Sequence, residues 1–331
     1  MVKSKLFLAL NFEYMKSLWL LLILSGLFLF LNSCKEPQPG GFSVAFLDSF
    51  EDETVAQAKK GFFKALKDSG YTSGMNLKVT YRNAQGDIPA LAQAVDFFVS
   101  QEFDLIASNT TLSTITAVQK NKTIPVCMMV SPSAELAGLR SKDGKDPANL
   151  FGVYETLEYI DTAIGLIPQY FPKAKRIGTV INQSEPQSRD ALAQIQQAAQ
   201  KLGLEVISLP ANNSSETQLV IESLISKGID VFFALPDNTI FASFETIAAA
   251  CNKAGIPVIS SESGLVKRGA LMAFGADMYQ WGYQAGQEAV KFFRSGTIPA
   301  PVKLYKRKKL INQAQAERFN ITYDSTFSTI K

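Results

Sequence analysis

The sequence contains no histidine among its 331 residues. This absence excludes Ser-His-Asp and Cys-His catalytic arrangements and imidazole metal sites, and it removes the commonest general base. The nucleophile elbow G-x-S-x-G, the phosphate loop G-x-x-x-x-G-K-[ST] and the dinucleotide fingerprint G-x-G-x-x-G are also missing. We therefore expect a protein that is not an enzyme and that uses no cofactor and no metal.

The chain also lacks a marked excess of charge and has few cysteines. Its 33 Lys and Arg residues oppose 30 Asp and Glu residues, so the net charge is +3. Such a balance predicts no nucleic-acid partner. Of the three cysteines, Cys127 and Cys251 fall in apolar runs, and we expect them to be free core residues rather than a disulfide.

An apolar run near the N-terminus, from Leu18 to Leu31, reads LWLLLILSGLFLFL. It is typical of a signal-peptide h-region and is shorter than the ~20 residues of a spanning helix. Leu31, Ser33 and Cys34 resemble a bacterial lipobox, in which Cys34 is lipidated; an uncleaved anchor and a plain secretory peptide are the alternatives. We predict a signal peptide over 1–33, with translation starting at Met15, and then Cys34 and a Pro- and Gly-rich tether over 34–41.

The rest of the chain contains one pattern twice. Apolar strands alternate with amphipathic helices, and Ile177 follows Val44 by 133 residues while Pro257 follows Pro125 by 132. Such alternation predicts parallel sheets covered by helices on both faces. We predict an α/β fold with two Rossmann-like lobes and a ligand cleft between them. Lobe 1 spans 42–151 and is completed by about 279–301; lobe 2 spans 152–278 and is completed by about 302–331.

Polar residues follow the apolar strands in both halves, where open α/β sheets bind ligands. Asp237 could bind a ligand ammonium or cap the next helix, and Asn238 and Thr239 share these two interpretations. In the equivalent turn of the first half, a run of three polar residues could bind a carboxylate at a helix N-terminus or simply cap it. This run is Asn109, Thr110 and Thr111.

Further candidates end the remaining strands. Phe50 could stack on an apolar or aromatic ligand or fill the core, and Tyr154 could line the pocket near the junction of the lobes. The other predicted ligand residues are Asp48, Ser49, Ser131, Pro132, Ser260 and Glu262. The basic run over 306–309 is interpreted as a solvated face, with contact to anionic lipid as the alternative.

A family resemblance rests on six stretches and on their order and spacing. They are KKGFFKALKDSGYTSGMNLKVTYRNAQGDIPALAQAV, TIPVCMMVSP, AKRIGTVINQSEPQS, GIDVFFALPDNTI, AGIPVIS and VKRGALMAFGADMYQWGYQAG. From Phe42 to Ile321 the chain resembles ABC-transporter solute-binding proteins that include tryptophan- and tyrosine-type uptake receptors. The resemblance implies the periplasmic-binding-protein type I fold. Ser131-Pro132, where the family often has Asp-Pro, and the acidic first loop depart from its pattern.

The resemblance also adds candidate residues and a function. Glu185 and Ser188 match a ligand loop or merely start a helix, and Asp277 matches a second ammonium contact or a hinge-loop salt bridge. The implied protein is a monomeric, lipid-anchored, extracytoplasmic receptor that closes around a small solute and delivers it to an ABC permease and its ATPase. An amino acid fits the charged groups, and an aromatic preference comes from the resemblance alone. The alternatives are a sensor without transport and a receptor for a sugar, nucleoside or other small metabolite.

Overall fold

Two mostly parallel sheets organise the protein in a computed structural model that describes residues 41–50, 52–304 and 306–330. The predicted signal peptide, Cys34 and the tether before Gly41 lie outside these residues. The strands are β1 Phe42–Asp48, β2 Leu77–Asn83, β3 Leu105–Asn109, β4 Val126–Pro132, β5 Leu150–Glu155, β6 Arg176–Ile181, β7 Glu205–Pro210, β8 Val231–Ala234, β9 Val258–Glu262, β10 Met272–Ala276, β11 Val302–Lys303, β12 Arg307–Asn312 and β13 Ser328–Ile330.

The helices cover both faces of these sheets. They are α1 Glu53–Asp68, α2 Ile88–Ser100, α3 Thr111–Lys120, α4 Tyr159–Tyr170, α5 Pro186–Lys201, α6 Thr217–Ser226, α7 Asn238–Ala242, α8 Phe244–Ala254, α9 Gly264–Lys267, α10 Met278–Ser295 and α11 Gln313–Arg318, with a 3-10 turn at Ser214–Glu216. Across the part of the chain that the structure describes, no helix is long and apolar enough to cross a membrane.

The strand order confirms the predicted fold of two α/β lobes. The first sheet has the order β11-β5-β4-β3-β1-β2, and the second has the order β13-β12-β10-β9-β8-β6-β7. β10 and β12 pair antiparallel, whereas the duplicated strands pair parallel. We call the first sheet with α1–α3 and α10 lobe 1, and the second sheet with α4–α9 and α11 lobe 2. The predicted residue boundaries of the lobes stay a prediction.

Burial on both faces explains the continuous apolar runs of the central strands. In β1, Val44 and Phe46 belong to one apolar cluster while Ala45 and Leu47 belong to another on the opposite face. This alternation follows from the two-residue period of a strand. Helices therefore have to cover both faces, as they do in parallel sheets generally. Cys127 and Cys251 are buried and free, as predicted.

The helical pattern of the sequence predicts one helix over 240–253, but the structure has two helices there, α7 and α8. Ser243 interrupts the pattern with φ −120° and ψ 19°, and its Oγ donates to the Thr239 carbonyl at 2.6 Å. Serine side chains compete in this way for the backbone acceptors of a helix. Periodicity alone did not show the break, because the apolar residues on both sides of Ser243 keep helical spacing.

Three connections join the lobes, between β5 and α4, between β10 and α10, and between β11 and β12. Ion pairs link them. Arg307 Nη2 lies 2.5 Å from Glu155 Oε2, and Lys308 Nζ lies 2.7 Å from Asp277 Oδ2. The prediction of a solvated face is therefore wrong for Arg307, whose side chain is 19% exposed. The basic run supplies the cations that hold the connections together.

A further contact between the lobes forms around Arg268, which follows α9. Its Nη1 donates to Asp52 Oδ2 at 2.6 Å and to Thr54 Oγ1 at 3.2 Å. Asp52 Oδ1 also caps α1 by accepting from the backbone N–H groups of Thr54 and Val55. Glu245 binds the opposite edge of the guanidinium, at 2.7 and 2.8 Å. The start of α1 is therefore tied to lobe 2.

Helices α1 and α10 approach each other so closely that three glycines are required at their contact. A Cβ on Gly282 would lie 1.8 Å from the Ala58 carbonyl oxygen, and one on Gly61 would lie 2.0 Å from the Tyr279 carbonyl oxygen. A Cβ on Gly286 would lie 2.6 Å from the Phe62 carbonyl oxygen. Real Cβ atoms do not approach backbone oxygens this closely, so larger residues would push α10 away from α1.

Gly282→Ala should lower the free energy of unfolding by about 1–3 kcal/mol, because the added methyl group overlaps the backbone of α1. Gly165→Ala is the matched control. Gly165 also lies in a helix, and a Cβ there would meet nothing within 4 Å, so the change should stabilise α4 by up to ~1 kcal/mol. Urea unfolding of both variants would measure the difference. Equal effects would contradict the proposed close contact.

Candidate ligand-binding site

A pocket lies between the lobes where the carboxyl ends of several strands meet. We call it the central pocket and define it by its lining residues: Thr111, Val130, Ser131, Pro132, Glu155, Leu157, Tyr159, Gln187, Pro236, Asn238, Phe241, Glu262, Met278 and Trp281. About 450 Å³ lies between these lining atoms, part of it open to solvent. Because both lobes contribute to its walls, closing or opening the lobes would change its shape.

A wider, more open depression adjoins the central pocket. We call it the outer groove; it has about 1230 Å³ between its lining atoms and is lined by Ser49, Phe50, Gln85, Gly86, Asp87, Ile88, Leu91, Leu112, Asn182, Ser184, Glu185, Asn212, Asn213, Ser214, Asn238, Thr239 and Ala242. Asn238 lines both. The outer groove is therefore a route by which a solute could reach the central pocket.

The N-terminus of α3 faces the central pocket through Thr111. The residue before it, Thr110, makes no side-chain cap to the helix; its hydroxyl lies 2.6 Å from the Ser49 hydroxyl instead. Thr110 also has φ +83°, which is unfavourable for a β-branched residue and costs about 1–3 kcal/mol. An uncapped helix N-terminus next to a pocket suits an anionic ligand group.

Four polar atoms around the central pocket have neither a hydrogen-bond partner nor an ion-pair partner among the described residues. They are Ser131 Oγ, Gln187 Oε1, Asn238 Nδ2 and Glu262 Oε2. They come from both lobes and include one donor amide, one hydroxyl and two acceptors. Buried polar atoms are rarely left unpaired, because each costs about 1–3 kcal/mol. The simplest physical account is that a polar ligand supplies the missing partners.

Glu262 is a deeply buried carboxyl group of this pocket, with 1% of the residue exposed, like Glu155. Its Oε1 accepts a hydrogen bond from the Tyr159 hydroxyl at 3.0 Å, and its Oε2 is one of the four unpartnered atoms. The pKa of Glu262 is raised to about 8, chiefly by burial; the nearby Glu155 carboxylate acts in the same direction, while Tyr159 and Arg307 oppose the shift. Without a ligand, Glu262 therefore keeps its proton at neutral pH.

Glu155, at the end of β5, is already paired. Its Oε1 accepts from the Thr156 backbone N–H at 2.7 Å, and its Oε2 is bound by Arg307. The Arg307 guanidinium also lies 5.3 Å from the centre of the Tyr159 ring, within the range of a cation–π contact. Arg307 is thus paired with Glu155. Glu262 has no salt-bridge partner among the described residues.

Aromatic side chains also line the central pocket. Tyr159, Phe241 and Trp281 contribute three aromatic rings, and each is nearly buried. Trp281 is fixed in place because its Nε1 donates to the Val153 carbonyl at 2.7 Å. Rigid aromatic walls bury a large ligand side chain at little entropic cost. The lining of the central pocket therefore combines polar groups with aromatic rings.

The structure distributes the residues predicted from the sequence over three environments. Those lining the central pocket are Thr111, Ser131, Pro132, Asn238 and Glu262. Those lining the outer groove are Ser49, Phe50, Glu185 and Thr239, together with Asn238. Those lining neither are Asp48, Asn109, Thr110, Tyr154, Ser188, Asp237, Ser260 and Asp277. Ligand contact stays a prediction for all of them.

Asp237 has the geometry of the capping alternative. Its Oδ1 accepts from the Ile240 backbone N–H at 3.0 Å and so caps α7. Its Oδ2 accepts from the Asn182 backbone N–H at 2.8 Å and from the Ser188 hydroxyl. Protein donors thus occupy both oxygens of this fully buried carboxyl. Burial raises its pKa, and these hydrogen bonds oppose the shift. The geometry does not support its predicted role as an ammonium partner.

Several other predicted residues also find partners within the protein. Asn109 Nδ2 donates to Asp48 Oδ1 at 2.6 Å. Ser260 Oγ donates to the Ala234 carbonyl at 3.1 Å and accepts from the Glu262 N–H at 2.9 Å. Asp277 caps α10 and pairs with Lys308, as the hinge salt-bridge alternative required. These groups line neither the central pocket nor the outer groove, and they support the residues that do.

Sequence reasoning missed the residues of the connections and of α10. Glu155 and Tyr159 flank the first connection, and the sequence suggested only a joining segment there. The acidic end of the apolar stretch LFGVYE could have indicated a strand. Trp281 and Met278 belong to a helix that was read for its packing face alone. Gln187 lies between Glu185 and Ser188, which the family resemblance had singled out.

Comparisons with known proteins agree with this architecture. A conserved domain protein from Vibrio cholerae has a TM-score of 0.81 and 26% identity, covering 88% of this chain and 99% of its own. The structure of an ABC domain in complex with L-Trp from Streptococcus pneumonia has a TM-score of 0.78 and 22% identity, covering 86% and 97%. These likenesses show the two-lobed α/β fold of the periplasmic-binding-protein type I class.

The sequence places the chain more narrowly. The profile of the ABC transporter substrate binding proteins matches residues 43–330. The tyrosine-binding protein of Clostridioides difficile (strain R20291) is 36% identical over 248 residues, which are 75% of this chain and 71% of that protein. The chain therefore belongs to the family of ABC transporter substrate binding proteins, which bind solutes and are not enzymes.

Glu185 allows a test of the site's electrostatics. Burial and the nearby Asp237 raise the pKa of Glu185 from 4.5 to about 8. Between these values the folded protein keeps a proton that the unfolded chain releases, so the free energy of unfolding should fall as pH rises. Glu185→Gln lacks this titrating group. The difference in free energy of unfolding between the variant and wild type should therefore change in favour of the variant as pH rises from about 5 to about 8.

Urea unfolding at the two pH values would measure this gain. Glu317→Gln, which changes an exposed carboxylate of α11, should leave the pH dependence unchanged. Parallel pH profiles for wild type and Glu185→Gln would contradict the burial of a protonated Glu185.

Proposed function

We propose that the protein binds an amino acid in its central pocket, with the lobes closed around it. The observation that carries this proposal is the set of four unpartnered polar atoms, contributed by both lobes, in a pocket that aromatic rings also line. A zwitterion with a large apolar side chain matches such a pocket, since its charged end needs several buried partners and its side chain needs apolar area.

The carboxylate and the side chain of the ligand have distinct places in this proposal. The ligand carboxylate lies toward the N-terminus of α3, near Thr111 and Ser131, where free N–H groups and an unpartnered hydroxyl are available. The ligand side chain packs against Phe241 and Trp281. A sugar or nucleoside would find fewer charged partners in the central pocket. The outer groove, with the predicted residues Ser49, Phe50 and Glu185, serves as the entrance.

The relatives support an aromatic amino acid as the ligand. The tyrosine-binding relative shares 36% of its aligned residues with this chain. The three aromatic rings of the central pocket agree with a ligand of that kind. Stacking and edge contacts between aromatic rings add about 0.5–1.5 kcal/mol to simple burial.

The location and the partners follow from the N-terminal sequence and from the family. We propose that the signal peptide is removed, that Cys34 is lipidated and that the tether holds the two lobes, as a monomer, near the outer surface of a membrane. There the closed, liganded form delivers its solute to an ABC permease and its ATPase. Lobe closure gives the permease a way to distinguish loaded from empty receptor.

A chain that begins at Lys35 should show a raised melting temperature with L-tyrosine, L-tryptophan or L-phenylalanine in a screen that also contains sugars, nucleosides and the other amino acids. Ser131→Ala should weaken binding of the best amino acid by roughly fivefold, because one hydrogen bond contributes about 1 kcal/mol. Calorimetry would give both affinities. Ser100→Ala, on an exposed serine of lobe 1, is the control. A response to sugars alone would contradict an amino-acid ligand.

Cys34→Ala in the full-length chain should release the protein from membranes, because the thiol that carries the lipid is lost. Fractionation of bacteria expressing each form, followed by metabolic labelling with a fatty acid, would detect the change. Cys127→Ala, which alters a buried free cysteine, should keep both label and membrane association. Labelling of Cys34→Ala equal to that of the unchanged chain would contradict the lipid anchor.

A further inference from the structure

The connections between the lobes carry a polar cluster that borders the central pocket. Glu155, Tyr159 and Glu262 line the pocket, and Arg307 lies behind them. These residues come from three separate parts of the chain: the connection from β5 to α4, the end of β9 and the start of β12. Their convergence follows from the crossing of the lobe connections at this point.

The charges of this cluster do not balance when both carboxyl groups are ionised. Arg307 Nη2 binds Glu155 Oε2 at 2.5 Å, so this pair is neutral. Glu262 adds one negative charge and receives only the hydrogen bond from the Tyr159 hydroxyl. Its second oxygen, Oε2, is buried against the pocket without a partner among the described residues. An uncompensated buried carboxylate is costly, and a single positive group in the pocket would compensate it.

We infer that Glu262 is the residue that binds the ammonium group of the ligand and that it gives up its proton when the ligand enters. This inference rests on the proposed amino-acid ligand and specifies which residue recognises the amine. The Glu262 carboxyl group loses H⁺ to solvent, and its carboxylate forms charge-assisted hydrogen bonds with the ligand's R–NH₃⁺. No other bond is made or broken.

The surroundings of Glu262 account for the proton exchange. The groups that act on it are Glu155 at the end of β5, Tyr159 at the start of α4 and Arg307 at the start of β12. With burial, they place its pKa at about 8 in the empty protein. A bound ammonium favours the charged form and lowers this pKa. At neutral pH one proton is therefore released for each ligand bound.

This exchange makes affinity depend on pH in a defined direction. Below about pH 8 the empty protein must lose the Glu262 proton to bind, so affinity for L-tyrosine should rise by up to about tenfold per pH unit. The rise should stop near about pH 8, where the carboxyl is already ionised. A ligand without an amine gains nothing from this ionisation and should lack the rise.

The test compares two probes that differ only in the amine. L-tyrosine and hydroxyphenylpropanoate, which is tyrosine without its amino group, are titrated calorimetrically into a chain beginning at Lys35. We expect wild type to prefer L-tyrosine by about 30-fold or more, since a buried charge without its partner is strongly disfavoured. L-tryptophan and indolepropanoate form a second pair of the same design.

The decisive part of the test is the substitution of Glu262. Glu262→Gln should lose most of the preference for the amine and should bind L-tyrosine with little dependence on pH. Glu288→Gln is the matched control, because Glu288 is also a buried carboxyl, 4% exposed, but lines neither the central pocket nor the outer groove. It should retain both the preference and the pH dependence of wild type.

A measurement on wild type alone protects the test against a misfolded variant. Heats of L-tyrosine binding in two buffers of different ionisation enthalpy reveal how many protons are released. Release of about one proton at pH 6.5 or so supports the inference. Equal binding of L-tyrosine and hydroxyphenylpropanoate, or no proton release, overturns it while the amino-acid function stands. Failure of every amino acid to bind overturns the proposed function and the inference together.

Discussion

The ion pair between Glu155 and Arg307 is the interaction on which the geometry of the binding cleft depends. It connects the last residue of β5 in lobe 1 to the first residue of β12 in lobe 2. Removing two charges from water is costly, so such a pair is kept only with good geometry and further contacts. The Tyr159 ring beside Arg307 provides one of these contacts. Because the Arg307 guanidinium is paired with Glu155, the neighbouring Glu262 is left available to a solute.

The opposite wall of the cleft depends on a packing constraint. Helix α10 starts at the second connection and carries Met278 and Trp281 into the central pocket. The next residue, Gly282, lies against the backbone of α1. The place of the Trp281 ring is thus set by how closely two helices approach on the outside of the sheet. Core packing and ligand recognition share this stretch of five residues, so they cannot vary independently.

Sequence reasoning was sufficient for the fold because the duplicated pattern of strands and helices has a strong period. It also placed Ser131, Asn238 and Glu262 at strand ends, where the structure has them lining the pocket. It could not separate a carboxylate that faces a ligand from one that caps a helix. Asp237 and Glu262 look alike in sequence, and only the positions of Asn182, Ser188 and Ile240 show that the first is already satisfied. Arg307 was misread because its partner is distant along the chain.

The three connections also determine what kind of motion the molecule can make. Two ion pairs and a shared polar cluster hold them side by side, so twisting or sliding of one lobe over the other would have to break buried charge contacts. Rotation about a single axis through the connections would leave these contacts intact. Opening is then close to a motion with one degree of freedom, and Leu157, with φ +64° in the first connection, is a residue at which backbone torsion is already unusual. Because a single rotation angle then describes the opening, the empty and loaded forms are two well-separated shapes rather than a continuum.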